Sequence, residues 1–572
     1  MRSILASISL LLLVGCEGKL PAPIPADHPD AKEPHRGGTI ELASFADVRA
    51  IDPANITDGI APQLLQALFA GLIDFDHDGK IVADIAEKWD VLDEGKTYRF
   101  TIRPGVKFHD GEEVTADDVK RSAERALSPK SPNPYTSNFT TLSGLPAFTA
   151  GKADHVSGIE VEGRYVVTFH LDKADSAFLP LLAMHMLRPT CKSAGATYSD
   201  SWHPCGAGPF KLPPNGWDRG REITLVRHDA YFKPGLPYLD AIHWTFHITF
   251  SSQAFKFQNG ELDVYRDFNM PELLRFIRDD RWRPLGEYET EKQISGEAMN
   301  TEMPPFDNVE FRRAISAAID REQLVLVRST NMRPGPVPIP PKVAGYDPTF
   351  EGQKYDYAAA LEHMKRAGYP YDPVTKTGGY PQVIPYLVYM QGLYEFTAQV
   401  LAQQLAKIGV RIEIRLVNYP TFIALRGRRH TIAFGPGFWQ QDYPEAGSFL
   451  EPLFHSRSIA DEDSNAWSFY KNPRVDELID RARAEPDEPR RMKLYREAQE
   501  IVCDDAPWAF TYFYRWYVQK QAYVKNYRSH ALWTNDVTTT WIDHARGPAG
   551  AQAMLSNDPR TVLGALFAGG IR

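Results

Sequence analysis

The sequence predicts an α/β protein built as two or three compact units, and three observations carry that expectation. At 572 residues the chain is too long for a single hydrophobic core. Residues 382–437 read strand, helix, strand, short helix, strand, the order that lays parallel neighbours in one sheet with helices on its faces. Elsewhere, runs of period two alternate with amphipathic helices, without a repeat or a low-complexity block. A hydrophobic content of 43% and a charged content of 24% suit a globular protein. A net charge of −9 with no Lys/Arg-rich tract argues against a nucleic-acid partner.

In chain order, the first element is MRSILASISLLLLVGCEGK, with an apolar run from Ile4 to Gly15. Such a run is shorter than the ~20 residues a spanning helix needs and suits the core of a secretory signal. It ends in Leu13-Val14-Gly15-Cys16, which resembles a bacterial lipobox. The resemblance implies a signal peptide over 1–15, cleavage before Cys16 and acylation of its thiol. The alternative is an ordinary signal peptide with an incidental cysteine. Residues 17–36, EGKLPAPIPADHPDAKEPHR, hold five prolines and few large apolar side chains. They are expected as an extended tether reaching up to roughly 60 Å at ~3.1 Å per residue. The globular part then begins near Gly37.

Alternation over Tyr98–Arg103 and within RYVVTFHL predicts half-buried strands. TADDVKRSAERAL opens with a capping box from Thr115 to Asp118. Acids such as Asp110, Glu112 and Glu113 read as a turn and helix entry. Cys191 and Cys205 flank a polar loop and are read as a disulfide in an oxidising compartment, with free thiols or a metal site using His203 as alternatives. In PPFDNVEFRRAISAAID, Asp307 and Glu310 are expected to cap a helix whose face carries Phe311, Ala314, Ile315, Ala318 and Ile319. YEFTAQVLAQQLAKIG aligns Ala398, Leu401, Leu405 and Ile408 and stops at Gly409; VRIEIRLV alternates four aliphatics inward with Arg411, Glu413 and Arg415 outward. Cys503 follows the Leu494, Ala498, Ile501, Val502 stripe and reads as a buried helix thiol.

The stretch FGPGFWQQDY leaves the strand TIAF where ligands of open α/β sheets bind, beyond the carboxyl ends of the strands. Gly435 and Gly437 are expected to form a corner that admits a ligand without a Cβ in the way. Asp442 is suited to receive an ammonium, and Trp439 to cover an apolar or aromatic group.

Several long segments resemble one family. LFAGLIDFDHDGKIVADIAEKWDVLDEGKTYRFTIRPGVKFHDGEEVTADDVKRSAERAL, CGAGPFKL, NTEMPPFDNVEFRRAISAAIDREQLV, LAQQLAKIGVRIEI and the FGPGFWQQDY segment are similar to the solute-binding proteins of bacterial peptide-type ABC transporters, nearest to the oligopeptide-binding branch. The resemblance covers roughly residues 37–530. It implies a two-lobed periplasmic-binding-protein fold, cluster C type, with an extra subdomain in the first lobe and two hinge crossings, near ISGEAMN and WAFTYFYRWY. The expected division is 16–36 lipidated cysteine and tether; 37–75 and 195–299 lobe I; 76–194 inserted subdomain; 300–510 lobe II; 511–546 return to lobe I; 547–572 a tail without assigned role.

Carried over residue by residue, the resemblance implies that Asp442 meets a ligand ammonium and that Trp439 lines a side-chain pocket. Gln440 and its neighbours Phe438 and Gln441 then offer backbone groups, while Asp58, Gly59, Ile60 and Ala61 edge the cleft from the other lobe. One departure stands out: Pro436 occupies the place where oligopeptide binders can carry an arginine that helps receive a ligand carboxylate, and a proline donates no hydrogen bond there. The implied protein is a monomeric, periplasmic, lipid-anchored receptor that captures oligopeptides and passes them to permease subunits, without cofactor or metal. Other solutes (a metal complex, haem, a sugar) and a sensing role without transport are the alternatives. No zinc-protease, nucleophile-elbow or phosphate-loop motif supports an enzyme.

Overall fold

The computed structural model describes residues 20–544, apart from 49, 56–60, 134, 200–201, 267–269, 290, 329–331, 390–392 and 534. Residues 1–15, Cys16, Asp58, Gly59, Ile60 and the 547–572 tail therefore lie outside the described residues. Three sheets and their helices organise the rest.

The first sheet sets strands Thr39–Ala43, Ala241–Thr245, Glu222–Arg227 and Phe210–Lys211 side by side. Its first pair is parallel although 202 residues separate Thr39 from Ala241; the others are antiparallel. Helix Ala61–Leu68 covers it through Leu64, Leu65 and Leu68. The inserted unit is an antiparallel sheet, Ala86–Leu92, Thr97–Ile102, Val166–His170 and Ile159–Glu162 in that order. Helix Ala116–Leu127 begins with the expected Thr115/Asp118 capping box and is fastened to the first lobe by a buried Arg125–Asp52 ion pair of 2.6 Å.

The third sheet is mixed and central to function. Its order is Met332–Pro334, Trp508–Tyr514, Gln293–Met299, Phe434–Gln440, Val383–Tyr389, Arg411–Val417. Helices cover both faces: Val309–Ala318, Tyr357–Arg366 and Leu393–Ala406 on one, Gly447–Phe454, Pro473–Ala484 and Glu488–Asp505 on the other. Ala398, Leu401, Leu405 and Ile408 are fully buried, and Gly409 turns the chain at φ +77°, where a Cβ would meet the Tyr371 ring at 2.5 Å.

Three local expectations need correcting. Helix Val309–Ala318 is capped by Asn308, whose side chain accepts from Glu310 N and Phe311 N, rather than by Asp307 and Glu310. Asn308 stands at the residue just before the helix, where its side-chain oxygen reaches both orphan N–H groups at once. Strand Arg411–Val417 lies at the sheet edge, so Leu416 is 41% exposed instead of facing a core. Lastly, Gly435-Pro436-Gly437 makes no corner: it runs inside strand Phe434–Gln440, antiparallel to Gln293–Met299 along its length. Bonding to Val383–Tyr389 is confined to the level of Phe434, so the missing Pro436 N–H leaves no ladder gap there.

A small sheet of Val264–Tyr265, Tyr517–Lys520 and Gly286–Tyr288 shows where the chain changes lobes. The crossings fall between Tyr288 and Gln293 and between Tyr514 and Tyr517; ISGEAMN itself lies within the third sheet. Both crossings feed adjacent antiparallel strands, with a bulge between Ser295 and Gly296. Buried Glu289 pairs with Arg266 at 2.6 Å, and buried Lys292 Nζ donates to His530 O at 3.2 Å.

The N-terminal segment also departs from expectation. From Leu20 onward it is laid against the first lobe instead of extending free. Trp282 Nε1 donates to Pro21 O at 2.8 Å, Ile24 N to Gln521 Oε1 at 3.2 Å and Asp27 N to Asp543 O at 3.0 Å. Proline-rich chain spends none of its backbone polar groups internally, so they remain available to a surface with matching donors and acceptors. Cys191 and Cys205 are disulfide-bonded with Cα atoms 5.5 Å apart, and Cys503 is a buried thiol whose pKa burial pushes well up. Among the described residues no helix is long and apolar enough to cross a membrane.

Candidate functional site

Register locates the cleft edge of the second lobe. Phe434 lies opposite Tyr386 on a parallel neighbour that ends at Tyr389. Three residues on, Gly437 is level with that end, so Phe438, Trp439 and Gln440 run past the carboxyl edge of the sheet. There they pair on one side only, with Ser295, Ile294 and Gln293. Among the described residues no strand lies on their other edge, and Asp442 follows after Gln441.

Side chains in this overhang differ in role. Trp439 is half-buried; its Nε1 donates to Ser448 O at 2.8 Å, and its ring meets Trp467 edge-on at 6.1 Å. Phe438 is half-buried and Gln440 exposed. Gln441 is buried and donates Nε2 to Ala531 O of the first lobe at 2.8 Å. The glycines do not serve ligand approach. A Cβ at Gly437 would lie 2.6 Å from the Trp508 ring, and one at Gly435 would lie 2.9 Å from Leu387 O. Both are glycine because the protein's own core closes on them. Ala61, the cleft-edge residue that is described, is 1% exposed at the start of its helix.

Asp442 forms no ion pair among the described residues. Its hydrogen bond comes from Tyr135 Oη at 3.3 Å, reaching across from the inserted subdomain. Burial pushes its carboxyl up to about 7, against a partial opposing effect of the Tyr135 hydrogen bond. In turn the Asp442 charge, with burial, raises the Tyr135 hydroxyl well above its ordinary range, keeping it a donor.

A cation missing from the sequence reading stands close by. Arg426, the last residue of helix Tyr419–Arg426, is 5% exposed, and its Nη1 donates to Pro436 O at 3.2 Å. Its guanidinium lies 3.0 Å from the Trp467 ring centroid, 4.5 Å from Phe438 and 4.8 Å from Phe422. Its Nε is buried without a hydrogen-bond partner, and among the described residues no carboxylate pairs with it. Burial depresses it to about 9, with Tyr419, Tyr389 and Tyr394 opposing. A cation held by aromatic faces and one carbonyl, without a carboxylate, is weakly compensated for its desolvation.

The lobes are shut on each other. Arg483 of helix Pro473–Ala484 reaches into the inserted subdomain, with Nε and Nη2 each 2.8 Å from the Asp175 carboxylate. Thr141 Oγ1 at 2.7 Å and Ala177 N at 3.1 Å hold Asp175 in place, while Glu451 takes Arg483 Nη1 at 2.6 Å. Burial alone would lower the pKa of Arg483, but the two carboxylates outweigh it and hold it up. Tyr443 joins the subdomain core beside Leu532 and Trp533. Groups flagged for other chemistry are accounted for: Glu113 pairs with Arg164 at 2.6 Å, and the bonded cysteines leave His203 no thiolate metal partner.

Comparison with known proteins agrees with this architecture. The profile of bacterial extracellular solute-binding proteins, family 5 Middle, matches residues 80–461. The chain is similar to the glutathione-binding protein GsiB of Pectobacterium atrosepticum, 27% identical over 476 residues and covering 81% of this chain and 86% of that one. It is also similar to the "probable deoxycholate-binding periplasmic protein YgiS" of Escherichia coli K12, 26% identical over 527 residues, 87% of this chain and 91% of the other. Among solved structures, the periplasmic binding protein DppA of Helicobacter pylori in complex with the peptide STSA superposes with a TM-score of 0.76 at 23% identity, covering 89% of this chain and 99% of that one.

Proposed function

The chain belongs to the bacterial extracellular solute-binding proteins of family 5, and from that premise we propose that it is an envelope lipoprotein, acylated at Cys16, that captures short peptides between its lobes and delivers them to an ABC permease. The observation carrying the peptide reading is two buried charges without an opposite partner along one strand, Arg426 against Pro436 in its middle and Asp442 just past its end. Asp442 pairs with no cation and Arg426 with no carboxylate among the described residues. A zwitterionic solute supplies both partners. Its ammonium goes to Asp442, and its carboxylate to Arg426 below Pro436, where the arginine expected from the resemblance is absent.

Between them, the edge of Phe438–Gln440, on which no described strand lies, offers backbone groups to an extended chain, a pairing indifferent to side-chain identity. The half-buried rings of Phe438 and Trp439 supply apolar cover. An ammonium–carboxylate hydrogen bond contributes about 1.5–3 kcal/mol, whereas micromolar binding needs about 8. Strand addition and burial must therefore provide most of the affinity. A second reading, an anionic solute without an ammonium, is favoured by the aromatic cage of Arg426 and by the similarity to the probable deoxycholate-binding protein YgiS.

Native mass spectrometry of the mature protein purified from its host tests the assignment. A series of peptide masses supports it. A single mass of a solute lacking peptide bonds overturns the peptide reading and leaves the two-lobed receptor in place.

A further inference from the structure

Residues 20–28 carry an unexpected piece of information about how the receptor sits. Leu20 is 5% exposed, packed among Ala254, Phe257, Phe276 and Trp282. Arg281 Nη2 donates to Leu20 O at 2.8 Å, and the bonds to Pro21, Ile24, Asp27 and His28 follow in succession. The chain is thus fastened to the first lobe from Leu20 onward. Only residues 17–19 separate that fastening from Cys16. Four Cα–Cα steps of at most ~3.6 Å span about 14 Å. Any surface holding acyl chains on Cys16 therefore lies within that distance of Leu20.

The helix that seats Leu20 is Phe250–Gln258, and it has an outward side. Phe255, next to buried Ala254, is 65% exposed. Phe45 is 49% exposed and stacks edge-on against Phe250 at 5.4 Å. Phe255 is thus exposed apolar surface one residue from a side chain that seats Leu20, while Phe45 and Phe250 partly cover each other at the start of the same helix. Charge adds little here, because Arg281 and Arg283 pair with Asp279 and Asp280.

We propose that the part of the first lobe around the Leu20 end of the chain, with Phe255 outermost on the helix that seats it, rests on the lipid surface that carries the acyl chains. The inference depends on acylation of Cys16 as proposed above. Confinement within ~14 Å makes a weak apolar contact effectively intramolecular, so a few rings suffice to hold one orientation.

The test uses the mature acylated protein in phosphatidylethanolamine/phosphatidylglycerol vesicles, with a nitroxide attached to Phe255→Cys or, as a distant control on the second lobe, to Val374→Cys. Val374 is 87% exposed, while the native cysteines described are a disulfide pair and a buried thiol. Accessibility to lipid-soluble oxygen relative to a water-soluble nickel complex is expected to be severalfold higher at 255 than at 374. Inserting about twenty Gly/Ser residues between Lys19 and Leu20 should erase the difference. Equal water accessibility at both positions in acylated protein overturns the inference and leaves the anchor standing. A strong label–label coupling at 255 assigns the face to a second copy and overturns it as well. Mature protein whose Cys16 carries no acyl group by mass overturns the anchor and this inference together.

Discussion

Asp442 gives the sharpest expectation about solute binding. Its carboxyl is pushed up to about 7 by burial, from an ordinary value of 3.8. An ammonium binds the carboxylate and not the acid. Affinity for a peptide with a free amino terminus should therefore be full above about pH 7 and fall as pH drops through it. At about pH 5.5 roughly one thirtieth of the solute-free protein is ionised, a loss of ~2 kcal/mol, or about thirtyfold. Folding shows the opposite sign. The unfolded chain releases this proton first, so the group destabilises the solute-free fold as pH rises from its ordinary range towards 7.

Asp442→Asn removes the charge while keeping the shape. It should weaken binding about ten- to hundredfold above pH 7, the equivalent of one charge-assisted hydrogen bond, and flatten the pH profile. Calorimetry with trialanine and N-acetyltrialanine between about pH 5.5 and pH 8 reads both effects. The acetylated peptide should be insensitive to pH and to the substitution. Equal constants for the two peptides across that range would refute the ammonium role.

Other perturbations separate binding from folding. Arg483→Met leaves Asp175 buried and unpaired, a loss of about 3–5 kcal/mol confined to the closed arrangement. X-ray scattering should show a larger radius for the solute-free protein, and calorimetry a weaker solute affinity as the closed fraction falls. A lower melting temperature with an unchanged radius would make the pair merely structural. Arg426→Met should leave the melting temperature unchanged or raise it, while weakening any carboxylate-bearing peptide at least about tenfold; loss of stability with intact binding contradicts the anion role. Gly437→Ala drives a methyl into the Trp508 ring and should lower stability by about 1–3 kcal/mol in thermal unfolding, with binding affected through the strand it displaces.

What the sequence disclosed follows the range of the forces involved. The Thr115/Asp118 box, the Ala398–Ile408 stripe and the strand–helix–strand order of 382–417 are set by neighbours in the chain, and all are present. The antiparallel placement of Phe434–Gln440 beside Gln293–Met299 depends on a pairing more than a hundred residues distant, so Gly-Pro-Gly looked like a turn. Asp442 was legible as a residue, but its partner Tyr135 comes from 307 positions away. Arg426 was hidden by company: Arg428 and Arg429, which follow it, are ion-paired surface residues, and only packing distinguishes the one enclosed by rings. The proline-rich segment misled for a related reason. Composition reports that it cannot form a core of its own, and is silent on whether another surface accepts it.

The neighbouring strands Gln293–Met299 and Trp508–Tyr514, each reached from a crossing, limit how the molecule can move. Two straps sewn edge to edge fold readily about a shared crease and resist swivelling. Opening and shutting about that crease would retrace a single path and restore one outer contour whatever lies inside. A downstream partner of such a receptor could then recognise the shut form by its outline alone, leaving the contents free to vary.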